Sequence, residues 1–145
     1  SNLVFYDYEN VSKKIQNALN EPNPWVRYWG LIICSSFGIE AIENLNTINH
    51  LFEKDSENLV KIRAAEYLLL NGQEIKKEKI KNLLKSAKTE TEANLMLNTL
   101  ALLKTKNPTY KLELSKDVFP ENWLPPIRNE NALVNRRMNY LTNNE

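Results

Sequence analysis

Cys34, Ser35 and Ser36 stand side by side, and a thiol or hydroxyl in such a run is the raw material of nucleophilic catalysis. Such a group works only when a base or an electropositive setting activates it. His50, the single histidine of the chain, lies sixteen residues further on. With no base near it in sequence, Cys34 reads as a small residue inside a buried helix. His50 does not make a metal site, which needs several converging His, Cys or carboxylate ligands at the right spacing. Glu90 and Glu92 fall at a helix start, where the dipole favours negative charge, and they lack the apolar flanks that would raise one pKa for acid–base work. Lys76, Lys77, Lys79, Lys81 and Lys85 interleave with an apolar stripe and carry no aromatics, so they read as a solvated helix face rather than a nucleic-acid groove. No glycine-rich phosphate loop and no Gly-x-Ser-x-Gly elbow is present.

The richest cluster is Trp25, Arg27, Tyr28 and Trp29. Trp, Tyr and Arg are the residues that anchor interfaces, and they are also large enough to fill the space between helix layers. Trp29 is expected in the core. Trp25 and Tyr28 fit either role. Arg27 is expected to meet a carboxylate or a helix end, as is Lys61 one repeat later. Trp123 is expected to anchor a covering segment. The candidate interaction surface is therefore Trp25, Arg27, Tyr28, Lys61 and Trp123.

These residues sit in a segment that occurs twice. Asn23 to Gly38 is followed thirty-four residues later by a copy that ends at Gly72. Val26 maps to Val60, Arg27 to Lys61, Gly30 to Ala64 and Gly38 to Gly72. A fixed period of this length is the signature of stacked helical pairs. A looser third copy places Leu97 to Leu100 on Ala65 to Leu68, at an offset of thirty-two.

Periodicity and end signals place the elements. Tyr8, Val11, Ile15, Ala18 and Leu19 predict a helix over about 8–19, with Asp7 at its cap and Glu21-Pro22 after it. Asn23 caps the next, Pro24 suits its first position, and Gly38 supplies a left-handed stop. Apolar residues cover so much of this helix that it is expected to be sandwiched between neighbours. Gly30, costing about 1 kcal/mol against Ala in a helix, implies a close approach there. Ile39 to about Glu53 reads as one outer helix. Asp55 or Ser56 caps an inner helix running to Leu70. A lysine-rich helix carries Ile80, Leu83, Leu84 and Ala87. Thr89 and Glu92 form a capping box for a helix through Leu103. Beyond Pro108 the pattern turns irregular, with a last short helix over about 130–141. That tail is expected to cover the open end of the array.

The 145 residues suffice for one core. A net charge of +1 leaves no electrostatic footprint for nucleic acid or an anionic membrane. No apolar run approaches the ~18 residues of a membrane span. Three glycines fit helices joined by short loops, and one cysteine permits no internal disulfide. Ser1-Asn2 reads as the scar of a removed tag, which makes the chain a piece of a longer parent. The expected fold is all-α, an α-α superhelix of about three HEAT-like pairs over residues 3–107. Residues 108–145 form the irregular tail.

Val26-Arg27-Tyr28-Trp29-Gly30, with Val60 to Glu66 and Leu97 to Leu100, resembles the HEAT-like repeats of the α-α superhelix class. More narrowly, it is similar to the helical region that follows the catalytic domain of many bacterial sulfatases. The resemblance covers about Tyr8 to Leu103. It implies a non-catalytic C-terminal accessory domain of a sulfuric ester hydrolase acting on sulfated glycans, secreted or periplasmic, whose partner is the catalytic domain of the same parent. The sulfatase signature Cys-x-Pro-Ser-Arg is absent, and Cys34-Ser35-Ser36-Phe37 does not match it. The resemblance therefore places the formylglycine and the calcium in the parent's catalytic domain. No catalytic, cofactor-binding or metal residue, and no small-molecule, nucleic-acid or membrane partner, is expected of this chain. The alternative is a free-standing HEAT-repeat scaffold that binds a protein.

Overall fold

The structure, a computed structural model, describes residues 7–112, 114, 118–120, 123, 140 and 141. The described residues are helical and form no strand. They divide into two compact units, Ser1–Asn71 and Gly72–Glu145.

The first unit holds α1 (Tyr8–Leu19), α2 (Pro24–Phe37), a 3-10 helix (Gly38–Asn44), α3 (Leu45–Lys54) and α4 (Asn58–Leu70). α1 keeps its predicted span, with Asp7 at the cap position but making no side-chain cap bond. α2 begins as its sequence dictates: the Asn23 side-chain oxygen accepts from the Trp25 amide at 2.9 Å, and Pro24 follows. It ends at Gly38, whose φ of +64° is the left-handed geometry that a Cβ resists.

The outer helix expected over 39–53 is instead split. Gly38–Asn44 winds as a 3-10 helix, and regular α geometry starts only at Leu45. Asn44 anchors this tighter turn. Its Nδ2 donates to the Tyr8 hydroxyl at 2.9 Å and to the Ala41 carbonyl at 3.1 Å. The Tyr8 hydroxyl in turn donates to Glu43 Oε1 at 2.8 Å. Before α4, Glu57 takes the cap position, and Asp55 accepts its amide at 2.9 Å, so Asp55 supports the cap from two residues back.

α1 packs on α2, α3 packs on α4, and α2 packs on α4. α1 and α2 run antiparallel: the Tyr8 ring meets Phe37 at 5.4 Å, while Gly30 lies against Ala18 and Leu19. A Cβ on Gly30 would come to 3.2 Å from Ala18 Cβ and from Leu19 Cδ2, so the close approach implied by a helical glycine is present. α2 and α4 run parallel, because their contacts ascend together from Tyr28–Arg63 to Gly38–Tyr67. Leu19, Leu31, Ile48, Ile62 and Leu68 are fully buried in this unit. Each such side chain contributes about 1.5–3 kcal/mol of transfer free energy.

The second unit holds α5 (Lys77–Lys85) and α6 (Glu90–Lys106). Thr89 Oγ1 accepts the Glu92 amide at 3.1 Å, as the capping box predicts. The return arm is shifted by one residue: Glu92 accepts the amide of Lys88 at 2.7 Å. Beyond α6, Leu112, Val118, Phe119 and Leu141 are buried. Lys104 donates to the Tyr140 carbonyl and lies 4.8 Å from the centre of its ring. Most of the helix expected over 130–141 lies outside the described residues.

Candidate interaction face

α2 lies between α1 and α4, as its apolar circumference predicts, but these neighbours leave one face uncovered. Trp25, Val26, Trp29 and Ile33 form one stripe along it and are all exposed, Trp29 at 61% and Trp25 at 48%. Their spacing puts them within about 100° of helix circumference. Ile39, just past the helix end, is exposed as well. The expected burial of Trp29 is thus corrected. The helices that pack on α2 take its other sides, where Gly30, Leu31 and Cys34 are buried. On α4, by contrast, of the residues thirty-four positions on, Leu59, Val60 and Tyr67 are buried and Arg63 is half-buried.

Arg27 is a clasp rather than a contact surface. Its Nε and Nη2 donate to Asp55 at 2.8 and 3.1 Å, a bidentate pair. Its Nη1 donates to the carbonyls of Glu21 and Pro22 at 2.7 and 2.9 Å. One guanidinium therefore ties the turn before α2 to the turn before α4. The side chains are 14% and 2% exposed, so the pair is largely shielded.

Tyr28 is also structural. The Arg63 guanidinium lies 5.1 Å from its ring centre, and Arg63 Nη2 donates to its hydroxyl at 3.1 Å. Arg63 Nη1 in turn reaches Glu66 at 3.2 Å. Trp25 and Trp29 each meet the Tyr28 ring edge-on, at 6.1 and 5.9 Å. These contacts hold both exposed indoles on a fixed base.

Of the other expected surface residues, Lys61 is half-buried and makes no ion pair among the described residues. Trp123 belongs to the second unit, where it packs 6.1 Å from Phe119. Lys61 lies on α4 and is not part of the α2 stripe.

Beside the stripe, a groove of about 610 Å³ opens between α1 and α2. Val11, Ile15 and Ala18 line one side, Ile33 and Phe37 the other, and Lys14 is the one charged lining residue among the described residues. Ile33 belongs to both groove and stripe, so the apolar surface is continuous.

The nucleophile candidate is closed off. Cys34 is fully buried, and burial pushes its thiol up to about 12, away from the reactive thiolate. His50 is exposed in the middle of α3, not at a helix end. Among the described residues no group of three or more His, Cys, Asp or Glu converges on a metal-sized space, and no helix is long and apolar enough to cross a membrane.

Sequence reasoning found Trp25 but missed Val26, Ile33 and Ile39. The signal was present: an apolar circumference wider than one or two neighbours can cover leaves a face open. Comparison with protein families, curated proteins and solved structures finds no match for the chain.

Proposed function

We propose that this chain is a non-catalytic accessory domain built of HEAT-like helical pairs, which docks on a larger assembly through the stripe on α2. The observation that carries this reading is the row Trp25, Val26, Trp29 and Ile33, exposed on a helix whose remaining sides are packed. A contiguous apolar surface of this kind marks an interaction site. Antiparallel α1 and α2, with α2 parallel to α4, support the repeat reading, as does the thirty-four-residue period.

The setting we propose is a sulfatase-family hydrolase acting on sulfated glycans. The wording of Asn23 to Gly30, with Val60 to Glu66, supports it. In that setting the sulfate-ester chemistry belongs to a catalytic domain elsewhere in the parent, and this domain packs against it. The alternative, a free-standing scaffold, uses the same face for a separate protein.

The reading frame upstream of Leu3 separates the two. The accessory reading expects a sulfatase-sized region containing a Cys/Ser-x-Pro/Ala-x-Arg signature. A frame that opens with Met directly before this segment removes the accessory reading and leaves the scaffold. The isolated chain, given aryl sulfates and calcium, is expected to show no turnover. Turnover that survives Cys34→Ala would overturn both.

A further inference from the structure

We infer that the exposed face of α2 is a seat for one partner α-helix, which lies on α2 in the register that α2 itself takes on α4. This rests on the docking reading above and names its occupant.

The α2–α4 interface supplies the geometry. On its α4 side, three residues receive α2. Asp55 holds Arg27 from the first turn of α2, Arg63 lies on Tyr28, and the Tyr67 hydroxyl donates to the Gly38 carbonyl at 2.8 Å. The thirty-four-residue period carries each of these back one unit: Asp55 to Glu21, Arg63 to Trp29 and Tyr67 to Ile33. All three counterparts are exposed, Glu21 in the turn before α2 and Trp29 and Ile33 on its open stripe. The seat that α4 fills with α2 is therefore repeated on α2 and left open. Two of its three points are apolar, and the third is a carboxylate at the same end as Asp55.

This pattern specifies the occupant. It is a helix parallel to α2, with a basic residue in its first turn to reach Glu21 and an aromatic residue beside it to meet Trp29. The groove that shares Ile33 takes its further apolar side chains. A sugar ring would use the two indoles but leave Val26, Ile33 and the groove uncovered. A second copy of this chain cannot supply the matching surface of its own α2, because α4 already occupies it.

Residues 20–38 of this chain carry the required pattern in Arg27, Tyr28 and the terminal Gly38, so a synthetic peptide of that sequence is the probe. Titrated into the full isotope-labelled chain, it is expected to gain helicity and to shift resonances centred on Trp25, Trp29 and Ile33. Trp29→Glu in the chain is expected to weaken binding about 30-fold, the scale of an interface hot spot. Glu21→Arg is expected to weaken it about threefold, and the peptide carrying Arg27→Glu to recover that loss, the scale of an exposed ion pair. Circular dichroism and Tm of each variant establish that the chain remains folded.

The inference is overturned by resonance shifts elsewhere on the chain, by equal binding of a scrambled peptide, by no binding at millimolar peptide, or by self-association of the chain through the same stripe. If the peptide fails while an upstream domain still binds, the helix seat is wrong and the accessory reading stands. If the upstream signature is absent while the peptide binds, the reverse holds.

Discussion

Arg27 and Asp55 meet across twenty-eight residues of sequence, Nε to Oδ2 at 2.8 Å and Nη2 to Oδ1 at 3.1 Å. Asp55 also accepts the Glu57 amide, and Arg27 also holds two carbonyls of the turn before α2. Removing either side chain leaves the other shielded without its counter-charge. Asp55→Ala is expected to cost about 2–4 kcal/mol, measured by urea denaturation. A double-mutant cycle with Arg27→Ala should return a coupling of at least ~1 kcal/mol. Additive losses would reduce the clasp to an incidental contact.

Four acidic side chains keep their protons longer in the folded chain than in the unfolded one. Burial raises Cys34 from 9.0 to about 12, and Tyr8, Tyr67 and Tyr110 from 10.0 to about 12. For Tyr8 the hydrogen bond to Glu43 adds to burial. The unfolded chain therefore releases protons first as pH rises. Stability from these groups is fully present below about pH 8 and falls as pH climbs from 9 towards 12. Cys34 alone should account for a loss on the order of 3 kcal/mol by pH 11. Denaturant midpoints at pH 7, 9, 10 and 11 check this; a flat profile across that range would contradict the burial of these groups.

Gly30 trades helix propensity against space. Alanine would gain about 1 kcal/mol in the helix interior. Its Cβ, however, would press on Ala18 Cβ and Leu19 Cδ2 at 3.2 Å, and Ala18 has no rotamer through which to yield. Overpacking costs about 1–3 kcal/mol, so Gly30→Ala is expected to be neutral to destabilising, and Gly30→Val clearly worse. A higher Tm for Gly30→Ala would show that α1 and α2 can part without loss.

Gly38 is a different case. Its neighbourhood is open, with the nearest atom to an added Cβ being Asn71 Oδ1 at 3.7 Å. The penalty there comes from φ of +64°, so Gly38→Ala should cost about 1 kcal/mol or more through backbone strain alone. Gly38→Asn should lose as much, because ψ of −130° lies outside the αL well that Asn tolerates. Tm values for the Ala and Asn variants equal to that of the parent chain would argue against strain.

Much of this architecture was legible in the residues themselves. Asn23, Pro24 and Gly38 mark the ends of α2, and Thr89 marks the start of α6, because caps and left-handed stops are local chemistry. Asn44 was not readable as an anchor: its partner Tyr8 lies thirty-six residues away, and only the folded chain brings them together. The same limit hid the Arg27–Asp55 clasp, whose existence was expected but whose carboxylate was not. Trp29 misled for another reason. An apolar pattern reports that a face avoids water, and does not say whether the neighbour that covers it belongs to the same chain.

Association through α2 is the central claim, and one binding measurement tests it most directly. The upstream catalytic domain that the accessory reading proposes and this chain, made as separate polypeptides, can be titrated against each other by calorimetry. The account predicts saturable binding that is lost when Trp25, Trp29 and Ile33 are replaced together by Ser, in a variant whose thermal unfolding stays within about 1 kcal/mol of the parent chain, as exposed sites allow. Binding that survives the triple replacement undiminished, or no binding by the unaltered chain, would contradict it.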